Sequence, residues 1–521
     1  MRGSLGSGDT GMSFVRLFSV LVGVLVCVGT AAAADPRPVP RTRRIILNDD
    51  GGIHLPKDGT SWDRYLNQRV RLANRTQTDS YFLCVAATSH GPDFLPAVVS
   101  TMSHWAAKKA IPSRYDQAAR RSIEAARRNG WEVFASIRMN DSHDRVRANA
   151  GELSYPLKAS RPELLLGNSR SKEIGNKAYP ENSVMSWFWA AFNWGEEDVR
   201  RHFLEFIQWY CSRYDFDGLE LDYYRHPLFF KLGEEEEHMP KMTGFVRQVR
   251  QTLDEIGKRR GRPYLLAIRI PDTPEICRRS GLDAPVWLRE NLMDLVVVGG
   301  GYMPYSGRLK QFIDLAHRYN IPAYPCINHF RGPVQMRSLA SNFHALGGDG
   351  VYLFNFTRPT GKAILPEWGI SDMISLSEIG SPKTLLSKEK AFLADTGEHR
   401  NYIGHSNLES QFPVRILGGR PVGLFVGDNI PSASKEGTLK ELRLEIDVAN
   451  VEPQTRISIT INGVAVGAGR ITRTGDTKIV ARLLTSSVRR GINQVRCAPG
   501  KEAPGKLDSQ VTGMRLIVLY K

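Results

Sequence analysis

The sequence lacks most of the signatures that would announce a familiar chemistry. Its first strand-like run ends in NDDGG, and no helix-opening GxGxxG follows. That argues against a doubly wound dinucleotide-binding sheet. The same run carries no HxH pair, so a histidine-held metal barrel is not expected. No nucleophile elbow supports a reactive serine or cysteine. The six cysteines show no zinc-ligand spacing. Five of them, Cys84, Cys211, Cys277, Cys326 and Cys497, lie beyond the N-terminal segment, and an odd count leaves at least one unpaired or bonded to another chain. Cys84 and Cys326 sit inside apolar strand patterns and read as buried thiols. Metal and cofactor are both expected to be none. Tryptophan is absent after residue 368.

Beyond the N-terminus, no run is long and apolar enough to span a membrane. At the N-terminus, Arg16 precedes LFSVLVGVLVCVGT and then AAAAD. This is a charged n-region, a short apolar core and a small-residue cleavage pattern. Ala32 and Ala34 satisfy the A-x-A rule, so residues 1–34 read as a signal peptide and Asp35 as the mature start. The expected location is periplasmic or extracellular, with no membrane span after cleavage.

With 41% hydrophobic and 24% charged residues, the composition is that of a globular protein. Lys and Arg total 70 against 54 Asp and Glu, a formal net charge of +16. The basic residues are dispersed on helix faces, as in ARRSIEAARRN, which reads as a solvated surface. No nucleic-acid partner is expected. The excess leaves an acidic glycan open as a partner.

Eight short runs rich in β-branched and aromatic residues recur at 43–50, 80–87, 131–141, 216–224, 263–270, 293–303, 321–330 and 349–356. Helical patterns separate them. SRYDQAARRSIEAARRNG opens on a serine expected to cap it and closes on Gly130. EEDVRRHFLEFIQWYCSRY places Val199, Phe203, Phe206, Ile207 and Tyr210 on one face. Eight strand–helix units predict an α/β fold, a (β/α)8 TIM barrel over residues 35–385. The connection from about 142 to 195 is unusually long, and in a barrel it lies over the C-terminal face of the strands. From 386 to 521 a linker leads into short alternating strands (LRLEIDV, RISITINGVAV, KIVARLL, QVRCA, MRLIVLY), a small all-β sandwich.

Polar groups gather where these strands end. The first run ends in Asn48, Asp49 and Asp50, and the third in Arg138, Asn140, Asp141 and His143. The fourth ends in Glu220, Asp222, Tyr223 and Arg225. Arg269 lies near the end of the fifth run. Tyr302, Asn328, His329 and Asn355 close the sixth, seventh and eighth. On DGLELDYY, Glu220 and Asp222 share the inward face about 6.6 Å apart along the strand, with Asp222 nearer the mouth. Two such carboxyls push one another's pKa apart, as glycosidic cleavage requires. Pairing with Arg138 or Arg269 for stability alone is the competing explanation. Trp187, Trp189 and Trp194 in SWFWAAFNWG offer flat faces to a sugar, or else plug the loop.

YDFDGLELDYYRHP, with the helix text before it, resembles the fourth-strand region of the family-ten-like glycosyl hydrolase group. These are exported bacterial TIM barrels with a related YD-x-DG-x-x-x-D-Y-x-R-x-P signature. RMNDSHD is similar to that group's third-strand region, and the resemblance spans residues 43–385. It implies an exported glycoside hydrolase acting on a poly- or oligosaccharide by carboxylate acid/base catalysis. The strand-four acid falls on Asp222, and secondarily on Glu220. One departure stands out: strand seven reads CINHF, where many retaining barrel glycosidases carry a nucleophilic Glu. Asp141, or Asp49 or Asp50, would then supply the second carboxylate. The alternative is a non-catalytic carbohydrate-binding protein on a degenerate barrel. Within the enzyme reading, Asp222 is expected to act as general acid, with Glu220 one layer deeper tuning it or holding an arginine.

Overall fold

The computed structural model describes residues 41–52, 62, 66, 70–89, 97–143, 153–168, 171, 173–174, 184–300, 309–328, 332–356, 370–394, 411–500 and 508–521. The expected signal peptide, Tyr302 and His329 lie outside the described residues. Residues 41–521 belong to one compact unit. Among the described residues no helix is long and apolar enough to cross a membrane.

All eight expected strands are present: β1 (Ile45–Asp49), β2 (Thr78–Ala86), β3 (Glu132–Arg138), β4 (Gly218–Asp222), β5 (Leu265–Ile270), β6 (Leu295–Val298), β7 (Ala323–Asn328) and β8 (Val351–Phe354). Each pairs in parallel with the next, and β8 closes on β1 through Ile45↔Val351. Alternation along the strands sorts their side chains into two cores. The lumen is filled by Ile46, Phe82, Phe134, Leu295, Val297, Tyr324, Tyr352 and Phe354, among others. The opposite set packs against the helices, including Val199, Phe203, Phe206, Ile207 and Tyr210 of helix Glu197–Arg213. At the foot of β4, a Cβ on Gly218 would lie 2.1 Å from the Phe134 ring. Only glycine leaves room for that ring, which stacks on Phe82 at 4.3 Å and blocks the lower lumen. One local expectation fails: Ser113 is the first residue of helix Ser113–Arg128, Pro112 holds the N-cap position, and no side-chain cap bond forms.

The C-terminal region folds as two antiparallel sheets. β10 (Val414–Arg415), β18 (Gln510–Tyr520), β12 (Leu439–Ala449), β16 (Lys478–Arg482) and β15 (Ile471–Thr474) form one, with β9 (Lys390–Leu393) also pairing β18. β11 (Val422–Val426), β17 (Gly491–Pro499), β13 (Ile457–Ile461) and β14 (Val464–Ala465) form the other. Alternate residues of β12, Leu442, Leu444, Ile446 and Val448, enter a core separate from the barrel's. The sandwich is tied to the barrel by β9, whose Ala391 amide donates to Ser338 Oγ at 2.7 Å. Lys390 beside it, 1% exposed, reaches Asp428 at 2.9 Å.

Candidate active site at the barrel mouth

Strand register stacks the polar groups in layers. Phe134, Gly218 and Leu265 are neighbours across β3, β4 and β5; above them come Ser136, Glu220 and Ala267; above those, Arg138, Asp222 and Arg269. Each layer is two residues above the last because side chains on one face repeat with period two. The arginines therefore stand beside Asp222, not beside Glu220.

That placement separates the two carboxyls chemically. Asp222 Oδ1 accepts from the Tyr224 and Arg225 backbone amides at 3.0 and 3.1 Å, and from Arg269 Nη1 at 3.1 Å; Oδ2 accepts from the same nitrogen at 3.0 Å. Arg269 also donates to the Gly300 carbonyl at 3.0 Å and lies 3.8 Å over the Phe354 ring. Glu220, fully buried, accepts a 2.5 Å hydrogen bond from Ser136 Oγ. Burial, with Asp222 next above, pushes its carboxyl up to about 7, against the pull of Ser136, Arg269 and the Tyr352 hydroxyl. The expectation that Glu220 holds Arg138 or Arg269 is corrected: Arg269 pairs with Asp222, and Arg138 with Asp50 and Asp141.

A second network forms at the end of β3. Asp141 accepts from His143 Nδ1 at 2.6 Å, the His143 amide at 3.1 Å and Arg138 Nη1 at 3.1 Å. Burial alone would raise its pKa, but His143, His226 and Arg138 hold it well below the usual carboxylate range. His143 Nε2 meets Arg225 Nη2 at 2.8 Å. Arginine can only donate, so Nε2 accepts and Nδ1 carries the proton given to Asp141. Burial lowers His143 to about 4, in keeping with that neutral tautomer. His226, in a left-handed conformation at φ 54°, turns Nδ1 to accept from the Ser142 amide at 3.0 Å. Ligand atoms of Asp141, His143 and His226 lie within 4.8 Å of one another, a spacing a divalent cation could bridge. However, Arg138 and Arg225 already lie 3.1 and 3.9 Å from Asp141 Oδ2, and two guanidiniums there oppose a metal.

The other expected site residues divide by direction. Asp49 faces outward, accepting from Tyr81 Oη at 2.6 Å and the Gly51 amide at 2.9 Å, so it anchors β1 rather than facing substrate. Tyr223 likewise points away from the lumen and packs on Phe229 and Trp287. Asn140 ties two connections together: its nitrogen donates to the Phe192 carbonyl of the long connection and the Leu228 carbonyl after β4 at 2.9 and 2.5 Å, and its oxygen accepts from the Phe192 amide at 2.8 Å. Asn48 Oδ1 accepts from the Asn355 amide at 3.2 Å, closing the β1–β8 seam. Trp189 and Trp194 are buried, Trp194 among Phe203, Phe229 and Phe245, and offer no face to a sugar. Trp187 is half-buried, 6.2 Å from the His143 ring, and keeps a place at the rim with Asp50, His143 and Asn328. Ser136, Tyr352 and His226 were missed. Ser136 and Tyr352 share the inward alternation of their strands, and His226 stands inside the DYYRHP text.

No family model matches this chain, and no curated protein matches it. Solved structures do. The chain is similar to the PgaB (BpsB) glycoside hydrolase domain from Bordetella bronchiseptica at 13% identity and TM-score 0.40, over 67% of this chain and 97% of that one. It is similar to the maltogenic α-amylase AmyB from Thermotoga neapolitana at 11% and 0.36, over 87% and 98%. An α-amylase from Lactobacillus plantarum stands at 11% and 0.37, over 84% and 98%. These neighbours are glycoside hydrolases, and none of them singles out the family-ten-like group. At such values the likeness carries no argument about chemistry, which must come from the site.

Proposed function

We propose that this chain is an exported glycoside hydrolase that cleaves a poly- or oligosaccharide at the C-terminal mouth of its barrel. The observation that carries the reading is the divergence of Glu220 and Asp222. One carboxyl holds its proton to about pH 7, while the other accepts from an arginine and two backbone amides. A carboxyl that keeps its proton beside one bound by an arginine and two amides offers the acid and the second carboxyl group that glycosidic cleavage requires. In this reading Glu220 donates the proton and Asp222 stabilises or attacks the cationic sugar carbon. This exchanges the roles the sequence suggested. Asp141 acts through His143 to hold Arg225 and is a positioning residue.

The mouth suits an uncharged sugar. Arg138, Arg225 and Arg269 stand among Asp50, Asp141 and Asp222, three cations against three carboxylates. Their charge is met by these carboxylates, so this reading assigns them no anionic group of the substrate.

The test incubates the mature chain with a panel of neutral and acidic polysaccharides and measures released reducing ends. Release from one or more polymers supports the proposal. A polymer bound firmly and left uncut favours the non-catalytic reading.

A further inference from the structure

The solvent face of the sandwich's larger sheet carries an arrangement that folding alone does not call for. Outward residues alternate with the buried ones along β12, giving Glu441, Arg443 and Glu445, and along β16, giving Lys478, Val480 and Arg482. The register sets Arg443 directly opposite Arg482. Like charges facing each other across an antiparallel pair repel. Glu441 lies near both, but at 3.8 and 3.6 Å. Glu445 is shared between Arg443 at 3.1 Å and Arg515 at 2.6 Å.

These side chains floor a groove of about 370 Å³, with Arg470 and Gly469 among its lining. Among the described residues four cations line it against two carboxylates. Lys478 and Arg482 are four residues apart on one strand, so the positive charge extends about 13 Å along the groove. An extended anionic chain would fit that length and relieve the Arg443–Arg482 repulsion.

We propose that this groove binds a strand of anionic polysaccharide, carboxylated or sulfated. Among the described residues its lining holds no aromatic ring on which a nucleobase could stack. Glu441 and Glu445, interleaved with the cations, can accept from the hydroxyls that a sugar chain carries between its anionic groups. The net charge of +16 draws such a polymer toward the chain, and the groove gives it a place to lie. The saccharide class rests on the reading of the barrel, but binding here needs no turnover, so the two can fail separately.

The experiment measures binding of the mature chain to polygalacturonate, dextran sulfate, dextran and single-stranded DNA at low and raised salt. The same series is run on Arg443→Gln/Arg482→Gln and on Glu220→Gln. The groove variant should weaken binding to polygalacturonate or dextran sulfate about tenfold or more, with a shallower salt dependence. Its melting temperature should be little changed, since a repulsion is removed along with surface ion pairs of small worth. Glu220→Gln should bind the anionic polymer like the wild type. The two anionic probes tell carboxylate from sulfate recognition. Equal binding by the groove variant, equal binding of dextran, or tighter binding of single-stranded DNA lost in that variant would each overturn the proposal.

Discussion

Asp222 directs both carboxylate oxygens at a single nitrogen of Arg269, at 3.1 and 3.0 Å, and neither side chain is more than 2% exposed. Removing one member of a buried pair strands the other's charge, while replacing both does not. Asp222→Asn should therefore cost about 3–5 kcal/mol in urea unfolding, and adding Arg269→Met should recover much of it. An Asp222→Asn variant within about 0.5 kcal/mol of wild type would show that the pair is not the structural tie described here.

Glu220 gives stability a pH dependence of unusual sign. Its folded pKa of about 7 lies above the ordinary 4.5. Between those values the native chain binds more protons at this site than the unfolded chain, so stability is lost as pH rises from 4.5 to about 7. Glu220→Gln should remove that slope. Thermal melts across the window should bring the variant's melting temperature up relative to wild type as pH rises. Parallel curves would contradict the assignment.

His143 titrates in the opposite sense. Its pKa is lowered from 6.5 to about 4, so the folded ring stays neutral while the unfolded one charges, and stability falls as pH drops through that window. Nitrogen-15 spectra should show a neutral ring with the proton on Nδ1 throughout pH 5 to 8. A ring titrating near 6.5 would mean that its bonds to Asp141 and Arg225 do not persist in solution.

Asn140 was expected at the substrate and is instead a clasp on the connection that follows β3. Asn140→Ala leaves the Phe192 amide and the Phe192 and Leu228 carbonyls short of partners. That should cost about 1–3 kcal/mol and open the chain around Phe192 to limited proteolysis. Unchanged protease resistance would argue for a looser role.

The barrel was legible because its signal is repeated eight times: each strand is an apolar run and each helix an amphipathic stripe. β9, β10 and β11 were not, because they are two to five residues long and pair with strands distant in sequence, nor was β15, four residues at the sheet edge beside β16. At the site, alternation on β4 correctly put Glu220 and Asp222 on one face with Asp222 outermost. What alternation cannot say is which partner each will take. Arg269 chose Asp222 because register puts them in one layer, and register is a property of three strands together. Asp49 and Tyr223 were misread because polar residues at a strand's end alternate too: every second one faces the helices. Trp189 and Trp194 failed as sugar platforms for a related reason. A long connection needs its own core, and indoles are the largest side chains with which to build it.

If Glu220 is the proton donor of a glycosidic cleavage, one kinetic comparison must show it. Reducing ends released per unit time are measured for wild type and Glu220→Gln on a polymer that the wild type cleaves, from pH 4 to 9. The glutamine replaces a carboxyl that is protonated below about 7, so the fold should tolerate it. The wild-type rate should fall on an alkaline limb near pH 7, and the variant should be slower by about 10²–10⁴-fold with no such limb. A Glu220→Gln chain with wild-type turnover and the same pH profile would contradict the account.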